Sequence, residues 1–429
     1  MNNYFKINIE KIHNQDLNIS IIGLGYVGLN LLLHFSKTKN KIYGIDIDKK
    51  KISKIKKGKS YINYISDQKI KNVIKKSRFS NNYESIKISD VIILCLPTPL
   101  KNNKPDLSYL KKTCHKIKNK LKRGSIIILE STSYPGTTED FIYKNLNLDN
   151  YQIGKNIFLG FSPEREDPGN KKFSLTKIPK VVSGKSIKCL KLIEMIYKSI
   201  IPKVVKANSI KVAETSKLLE NVYRAVNVTL VNEIKLITDK LNIDIFDVIK
   251  IAKTKPFGFH AFYPGPGLGG HCLPIDPLYL SYIAKKLGVR STFIELTKKI
   301  NSKIPLLIYS KLKFYLKNKN SRILILGITY KPNVNDLRES AGIRLIEIIS
   351  KNNKYKVDYS DPYVDHVNVL DKKYKSVKIN KQNIRKFDCI VLITNHKKFK
   401  YDIIKNNSKL ILDTRGKFRV SKNTLCGKL

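Results

Sequence analysis

No uninterrupted apolar run in the 429 residues approaches the ~18 that a membrane span needs. The opening Met1-Asn2-Asn3-Tyr4-Phe5-Lys6 has no signal-peptide pattern. A membrane protein is therefore not expected, and a cytoplasmic location is. The cysteines, Cys95, Cys114, Cys189, Cys272, Cys389 and Cys426, include no Cys-x-x-Cys pair. Their spacing argues against a zinc knuckle and a disulfide framework, and fits a reducing compartment. Acidic side chains are scarce: 34 Asp and Glu face 82 Lys and Arg, a formal net charge of +48. Such a field suits a phosphate backbone. The lysines, however, run through nearly every segment and form no basic stripe interleaved with aromatics, so no nucleic-acid partner is expected. The densest group, Lys49 to Lys59, reads as the solvated face of a helix that could help attract an anionic substrate. No short-period repeat is present, so no solenoid is implied.

Length and a hydrophobic content of 42% are enough for two or three domains. Leu17 to Ile22 is an apolar, largely β-branched run that meets Gly23-Leu24-Gly25-Tyr26-Val27-Gly28; Leu29 to Phe35 reads as a helix, and a second strand, Ile42 to Ile45, ends at Asp46. A dinucleotide site needs this order of strand, glycine turn, helix, strand and acid. Glycines let a pyrophosphate reach the helix N-terminus, and the acid takes the ribose hydroxyls. NAD is the expected cofactor, with Gly23, Gly25, Tyr26, Val27, Gly28 and Asp46 as its first contacts; Asp46 disfavours a 2′-phosphate. Further buried strands are expected at Val91 to Leu96, Ser125 to Leu129 and Asn156 to Phe161. The turns after them carry Thr98, Thr132 and Ser162-Pro163-Glu164-Arg165-Glu166, where open α/β sheets bind ligands. From Ile210 to Leu241 the pattern becomes one long helix, with Ala213, Leu218, Val222, Ala225, Val226 and Val231 on its apolar side and Lys217 and Asn221 sharing one face. Strand-helix-strand patterning restarts at Arg322 to Leu326 and Gly327, with a helix from Ile343 to Ile349 and strands at Lys356 to Ser360, Cys389 to Ile393 and Leu410 to Leu412. The expected fold is α/β, two Rossmann-like doubly wound domains joined by a long central helix, divided as 1–205, 206–318 and 319–429.

The segment Gly265-Pro266-Gly267-Leu268-Gly269-Gly270-His271-Cys272-Leu273-Pro274-Ile275-Asp276-Pro277 wraps one cysteine in a defined turn. A thiol beside accessible backbone N–H groups, with a carboxylate shortly after it, suits covalent catalysis and makes Cys272 the candidate nucleophile. The alternative is a buried structural cysteine in a tight loop. His271 has no companion at metal-ligand spacing, so an orienting or substrate-contact role is expected and no metal site.

Together these segments resemble the UDP-glucose/GDP-mannose dehydrogenase family over nearly the whole chain. The residues that carry the likeness are Gly23 to Gly28; Glu130-Ser131-Thr132-Ser133-Tyr134-Pro135-Gly136-Thr137-Thr138; Ser162 to Asn170; Lys217-Leu218-Leu219-Glu220-Asn221; the Cys272 loop; and Gly327-Ile328-Thr329-Tyr330-Lys331 with Asp336-Leu337-Arg338-Glu339-Ser340. The resemblance implies a four-electron oxidation of a nucleotide sugar's C6 alcohol to the acid, using NAD twice. It implies Cys272 as nucleophile, a water held by Thr132, Glu164 or Glu166, Lys217 and Asp276, and oxyanion stabilisation by Lys217 and Asn221. Residues 319–429 would bind the UDP-sugar through Lys331, while Arg338, with Thr98 and Thr132 on the cofactor side, either clamps phosphate or pins the interdomain junction. Arg165, Tyr263, Gly265, Gly267, Gly269 and His271 complete the implied sugar site. Glucose-specific members place a lysine where this chain has Ile275, and Pro-Glu-Phe-x-x-Glu where it has Pro163-Glu164-Arg165-Glu166-Asp167. Both differences match the N-acetylhexosamine branch, in which the central helix usually mediates a homodimer and a basic residue from the neighbouring subunit reaches the sugar; Lys255 is the candidate. A nucleotide-sugar epimerase would need a placed Tyr-x-x-x-Lys pair. Tyr83 with Lys87, Tyr151 with Lys155, Tyr282 with Lys286 and Tyr309 with Lys313 are what chance supplies in a lysine-rich chain.

Overall fold

The computed structural model describes residues 3–166, 175–270, 272–418 and 424–426. Asp167 to Asn170, His271 and the Cys426 side chain, all singled out in the sequence, lie outside the described residues. The chain divides into two compact units: Met1–Glu220 with Tyr282–Val289, and Asn221–Ser281 with Arg290–Leu429.

The first unit is built on an eight-stranded sheet. Its strands are β1 (Asn18–Ile22), β2 (Lys41–Ile45), β3 (Ser77–Ser80), β4 (Val91–Leu94), β5 (Ile126–Leu129), β6 (Phe158–Phe161), β7 (Lys180–Gly184) and β8 (Val204–Lys206). The spatial order is β8-β7-β6-β5-β4-β1-β2-β3, parallel throughout except for the antiparallel β6–β7 pair. Every side chain of β4 and β5 is buried. Continuous apolar runs are what a sheet covered on both faces requires, which is why Val-Ile-Ile-Leu and Ile-Ile-Ile-Leu read as strands. Strand β4 stops at Leu94, two residues before the sequence expectation, because Cys95 already turns towards the ligand-binding edge. Strands β3, β7 and β8 carry too little apolar sequence to be read beforehand.

The second unit holds a five-stranded parallel sheet, order β10-β9-β11-β12-β13, from β9 (Arg322–Leu326), β10 (Lys356–Ser360), β11 (Cys389–Leu392), β12 (Ile411–Asp413) and β13 (Thr424–Cys426). Glycine turns of one design start both units. Gly23 has φ +93° and Gly327 φ +78°. The Gly23 N–H donates to the Ile45 carbonyl at 2.8 Å and the Gly327 N–H to the Ser360 carbonyl at 2.8 Å. An acid closes each turn: Asp46 Oδ2 accepts from Leu24 N–H at 2.9 Å, and Asp361 Oδ2 accepts from Ile328 N–H at 2.8 Å.

The helices used below are α1 (Tyr26–Phe35), α2 (Ile210–Lys240), α3 (Asp276–Lys286), α4 (Thr292–Tyr315) and α5 (Ala341–Asn352). The buried side of α2 is more polar than its sequence suggested. Val222, Val226 and Val231 are half-buried, while Glu214, Lys217, Thr229, Asn232, Lys235 and Thr238 are buried with Ala213, Leu218 and Ala225. No described helix is long and apolar enough to cross a membrane.

Candidate active site

In the first unit the glycine turn leads into α1, whose N-cap is Gly25 in extended conformation. A Cβ on Gly23 would lie 2.4 Å from the Cys95 carbonyl oxygen, and one on Gly28 1.9 Å from the Gly23 carbonyl oxygen, whereas a Cβ on Gly25 would meet nothing within 4 Å. Gly23 and Gly28 are thus required by packing, and Gly25 leaves an open approach to the helix N-terminus, where backbone N–H groups and the helix dipole favour an anion. Tyr26 and Val27 form the first turn, the Tyr26 ring stacking on Tyr64 at 6.1 Å. Asp46 is buried at the end of β2; its Oδ1 accepts from Asp48 N–H at 2.9 Å and its Oδ2 lies 3.3 Å from Lys51 Nζ. The Tyr61 hydroxyl donates to the Leu24 carbonyl. These residues fit a dinucleotide: an unobstructed turn for the pyrophosphate and an acid beside it for a ribose.

The turns after β4, β5 and β6 are tied together. Thr98 Oγ1 donates to the Thr132 carbonyl at 2.7 Å, and Leu96 N–H donates to Ser131 Oγ at 2.8 Å. Glu164 Oε1 accepts from the N–H groups of Arg165 and Glu166, each at 2.6 Å. Glu166 accepts from Asn30 Nδ2 of α1 at 2.7 Å. Burial, then the neighbouring Glu164, pushes the Glu166 carboxyl up to about 7. Arg165 is anchored by the Pro179 carbonyl at 2.9 Å and by Glu220 at 2.7 Å. Lys217 is buried, on the same helix face as Asn221 one turn on. Glu214, one turn before Lys217, accepts from the N–H groups of Gly136 at 2.6 Å and Thr138 at 2.9 Å and from Thr138 Oγ1 at 2.8 Å. It fastens α2 to the turn that follows Thr132.

In the second unit Cys272 is exposed. Its carbonyl accepts from Asp276 N–H at 2.8 Å and Ile275 N–H at 3.2 Å, a turn that launches α3. Asp276, the first residue of α3, is buried and accepts from Asn221 Nδ2 at 2.5 Å. The expected cysteine, carboxylate and helix amide are therefore brought into one place. The glycines before Cys272 are there for close approach. A Cβ on Gly265 would sit 2.6 Å from Arg415 Nη1, and one on Gly269 2.9 Å from both the Glu339 carbonyl oxygen and Tyr330 Cβ; Gly267 has φ +122°. Gly270 N–H donates to the Arg338 carbonyl at 2.9 Å. From α2 and α4, Asn232 and Asn301 brace the loop: Asn232 Oδ1 accepts from Gly265 N–H at 2.9 Å, and its amide donates to Asn301 at 3.3 Å. The Arg338 guanidinium is held by Asp336, with Nε 3.0 Å from both carboxylate oxygens and Nη2 2.5 Å from one. Lys331 lies 5.8 Å from the centroid of the Tyr330 ring, Lys255 lies 5.0 Å over the Phe257 ring, and Tyr263 is exposed. Among the described residues no group of three or more His, Cys, Asp or Glu could hold a metal ion.

Three family models match in chain order: the UDP-glucose/GDP-mannose dehydrogenase NAD binding domain over residues 17–201, central domain over 211–303 and UDP binding domain over 324–419. The chain belongs to the UDP-glucose/GDP-mannose dehydrogenase family. This dehydrogenase is an NAD-dependent oxidoreductase of nucleotide sugars. It is 35% identical over 395 residues to the UDP-N-acetyl-D-glucosamine 6-dehydrogenase of Salmonella typhi, covering 90% of this chain and 91% of that one. It is 33% identical to the UDP-N-acetyl-D-mannosamine dehydrogenase of Pyrococcus horikoshii, covering 90% of each. A solved structure of the UDP-D-ManNAc dehydrogenase from Pyrococcus horikoshii superposes with a TM-score of 0.85 at 30% identity, over 96% of this chain and 99% of that one.

The dehydrogenase has groups at its ligand edges that sequence reasoning passed over. Arg415 stands two residues after β12; its Nε donates to the Ile393 carbonyl at 2.7 Å, and burial lowers its pKa to about 10. The signal was available, since Arg415 stands at the carboxyl end of a strand that was read correctly. Buried His396 gave no such signal. Its Nδ1 accepts from Asn333 N–H at 3.0 Å, which leaves Nε2–H to face Asp361 Oδ2 at 3.0 Å. Asp361 is thus spent on His396, while the equivalent acid of the first unit, Asp46, has no histidine against it.

Proposed function

We propose that the dehydrogenase oxidises the C6 hydroxyl of a UDP-N-acetylhexosamine, UDP-N-acetylglucosamine first, to the uronic acid. The observation that carries this reading is the Cys272 loop: an exposed cysteine starts the turn into buried Asp276, which accepts from Asn221, with apolar Ile275 where glucose-specific members have a lysine. The names of the Salmonella typhi and Pyrococcus horikoshii relatives, both acting on UDP-N-acetylhexosamines, support it. The mannosamine and galactosamine substrates are the alternatives.

Two NAD molecules, bound in turn, would each accept one of the two hydrides that the oxidation removes. The protein does the rest. By the family's chemistry, Thr132, Glu164 or Glu166, Lys217 and Asp276 are the groups assigned to the water that takes the hydroxyl proton as the alcohol becomes an aldehyde. The Cys272 thiolate adds to the aldehyde carbon, forming a C–S bond, and the resulting oxyanion is stabilised by Lys217 and Asn221 and then protonated. Oxidation of this thiohemiacetal leaves a thioester. Water activated at Asp276 attacks it, the C–S bond breaks, and the carboxylate departs with the thiolate restored. Residues 1–205 serve NAD and 319–429 the UDP-sugar, where Arg415 and Lys331 are the cations that suit a diphosphate.

The protein works as a homodimer through α2. Tyr223, Leu230, Ile234 and Ile237 are exposed along one side of that helix, with exposed Leu241 just after its end, an apolar stripe of the kind that marks an interface. Specificity is tested by kcat/KM for UDP-N-acetylglucosamine, UDP-N-acetylgalactosamine, UDP-N-acetylmannosamine and UDP-glucose. A site that hydrogen-bonds an acetamide rejects a sugar lacking it, so UDP-glucose is expected to be the poorest; preference for it would overturn the substrate assignment.

A further inference from the structure

Beneath the turns after β5 and β6 lies a charged cluster for which the mechanism above has no use. Lys180, at the start of β7, has a side chain 2% exposed, and its partner Glu130 is fully buried. Lys180 Nζ donates to Glu130 Oε2 at 2.8 Å and to the Pro163 carbonyl at 3.0 Å. The Tyr197 hydroxyl donates to the other Glu130 oxygen, and its ring lies 5.2 Å from the Lys180 ammonium. An ammonium has three N–H donors. Two are used, and Glu164 Oε2 stands 3.8 Å away. That oxygen is itself buried without a hydrogen-bond partner. A buried cation with a donor to spare therefore faces a buried carboxylate oxygen with none, across a gap slightly too long for a hydrogen bond.

We propose that Lys180 is a positioning residue for the oxidation: its ammonium locks the Thr132 turn, through Glu130, to the backbone just before Glu164, and directs its third N–H to Glu164. The chain connectivity makes this a short lever. Glu130 is two residues before Thr132, and Pro163 is adjacent to Glu164. Both turns project from the carboxyl edge of the sheet. A cation shared between their bases fixes the separation of the two groups that hold the reacting water, and a misplacement of about 1 Å is enough to cost turnover. The groups facing the ammonium are Glu130, Glu164, Tyr197 and Cys95. Burial, which would lower an ammonium, is outweighed by Glu130 and then Glu164, so Lys180 is held above its ordinary value. Burial raises the Glu130 carboxyl, and Lys180 opposes that rise.

The inference rests on the reading of Glu164 as a water-holding group. The test compares Lys180→Met, Lys180→Arg, the charge-neutral double variant Lys180→Met/Glu130→Gln and Glu164→Gln, using NAD and whichever UDP-sugar the wild type oxidises fastest. Lys180→Met is expected to lower kcat about 100-fold with KM for NAD and sugar changed less than about threefold, and to move the acid limb of kcat to higher pH. Arg at 180 should recover part of the loss. Should Lys180→Met fail to fold, the double variant, which removes both charges of the Lys180–Glu130 pair together, must show the same separation of kcat from KM. A folded variant without Lys180 that keeps wild-type kcat and pH profile overturns the proposal while leaving the Glu164 reading intact. Wild-type turnover in Glu164→Gln overturns both.

Discussion

Cys272 is exposed, and its own carbonyl starts the turn into α3, so the sulfur can be removed without disturbing a packed core. Cys272→Ala is expected to lower acid formation by at least about 10³-fold, since the thioester route needs a sulfur nucleophile. NAD affinity, read by nucleotide fluorescence, should stay within about twofold because the glycine turn belongs to the other unit. Acid production in Cys272→Ala near the wild-type rate would remove the nucleophile from the mechanism. Glu214 gives a second test at this scale. Burial raises its carboxyl from the ordinary value to about 7, so the folded protein keeps a proton that the unfolded chain has released. Its stabilising contribution is therefore full below the ordinary carboxyl pKa and is lost as pH rises through about 7. Replacement by Gln should flatten this dependence. Comparing urea midpoints of wild type and Glu214→Gln at pH ~5.5 and ~8 should reveal a wild-type loss of up to ~2 kcal/mol at the higher pH that the variant lacks. Identical slopes in both proteins would remove Glu214 from the linkage.

Elements with a continuous apolar run or a long helical period were legible. Strands β4, β5 and β9 and helix α2 were read within two residues of their observed ends, because burial on both faces, or a long helical period, writes itself into composition. The elements missed were short or internally contradictory. Strand β8 has three residues, one half-buried and two exposed, and α4 carries Pro305 in its interior, a residue that ordinarily ends a helix. The glycine turn was legible for a geometric reason that can be tested. Gly23 needs a positive φ and has no room for a Cβ, so Gly23→Ala should lower stability by ~1–3 kcal/mol and weaken NAD binding more than UDP-sugar binding. Calorimetric titration of both ligands checks this, and an unchanged NAD affinity would contradict the assigned turn. For α2, Leu230→Glu with Ile237→Glu places charge in the exposed apolar stripe and should convert a dimer to a monomer in sedimentation velocity. A sedimentation coefficient equal to that of the wild type would exclude this face as the interface.

Across the whole molecule, one turn design serves two ends. Asp46 and Asp361 close equivalent glycine turns, but buried His396 occupies Asp361. Only the first turn keeps the dinucleotide arrangement, and the second unit is left for a different ligand. Sequence alone separated the two through the full Gly-x-Gly-x-x-Gly spacing of the first and the single Gly327 of the second. It could not anticipate His396 or Lys180, because each acts through contacts with residues distant along the chain. The central claim is that one protein carries a UDP-sugar through both oxidations on a single cysteine. It is tested most directly by the stoichiometry of a limiting UDP-N-acetylhexosamine with excess NAD, following NADH by absorbance and the sugar product by mass. The account requires about two NADH per sugar consumed, with the uronic acid as product and no accumulating aldehyde. One NADH per sugar with free aldehyde, or conversion of the sugar with no net NADH, would contradict it.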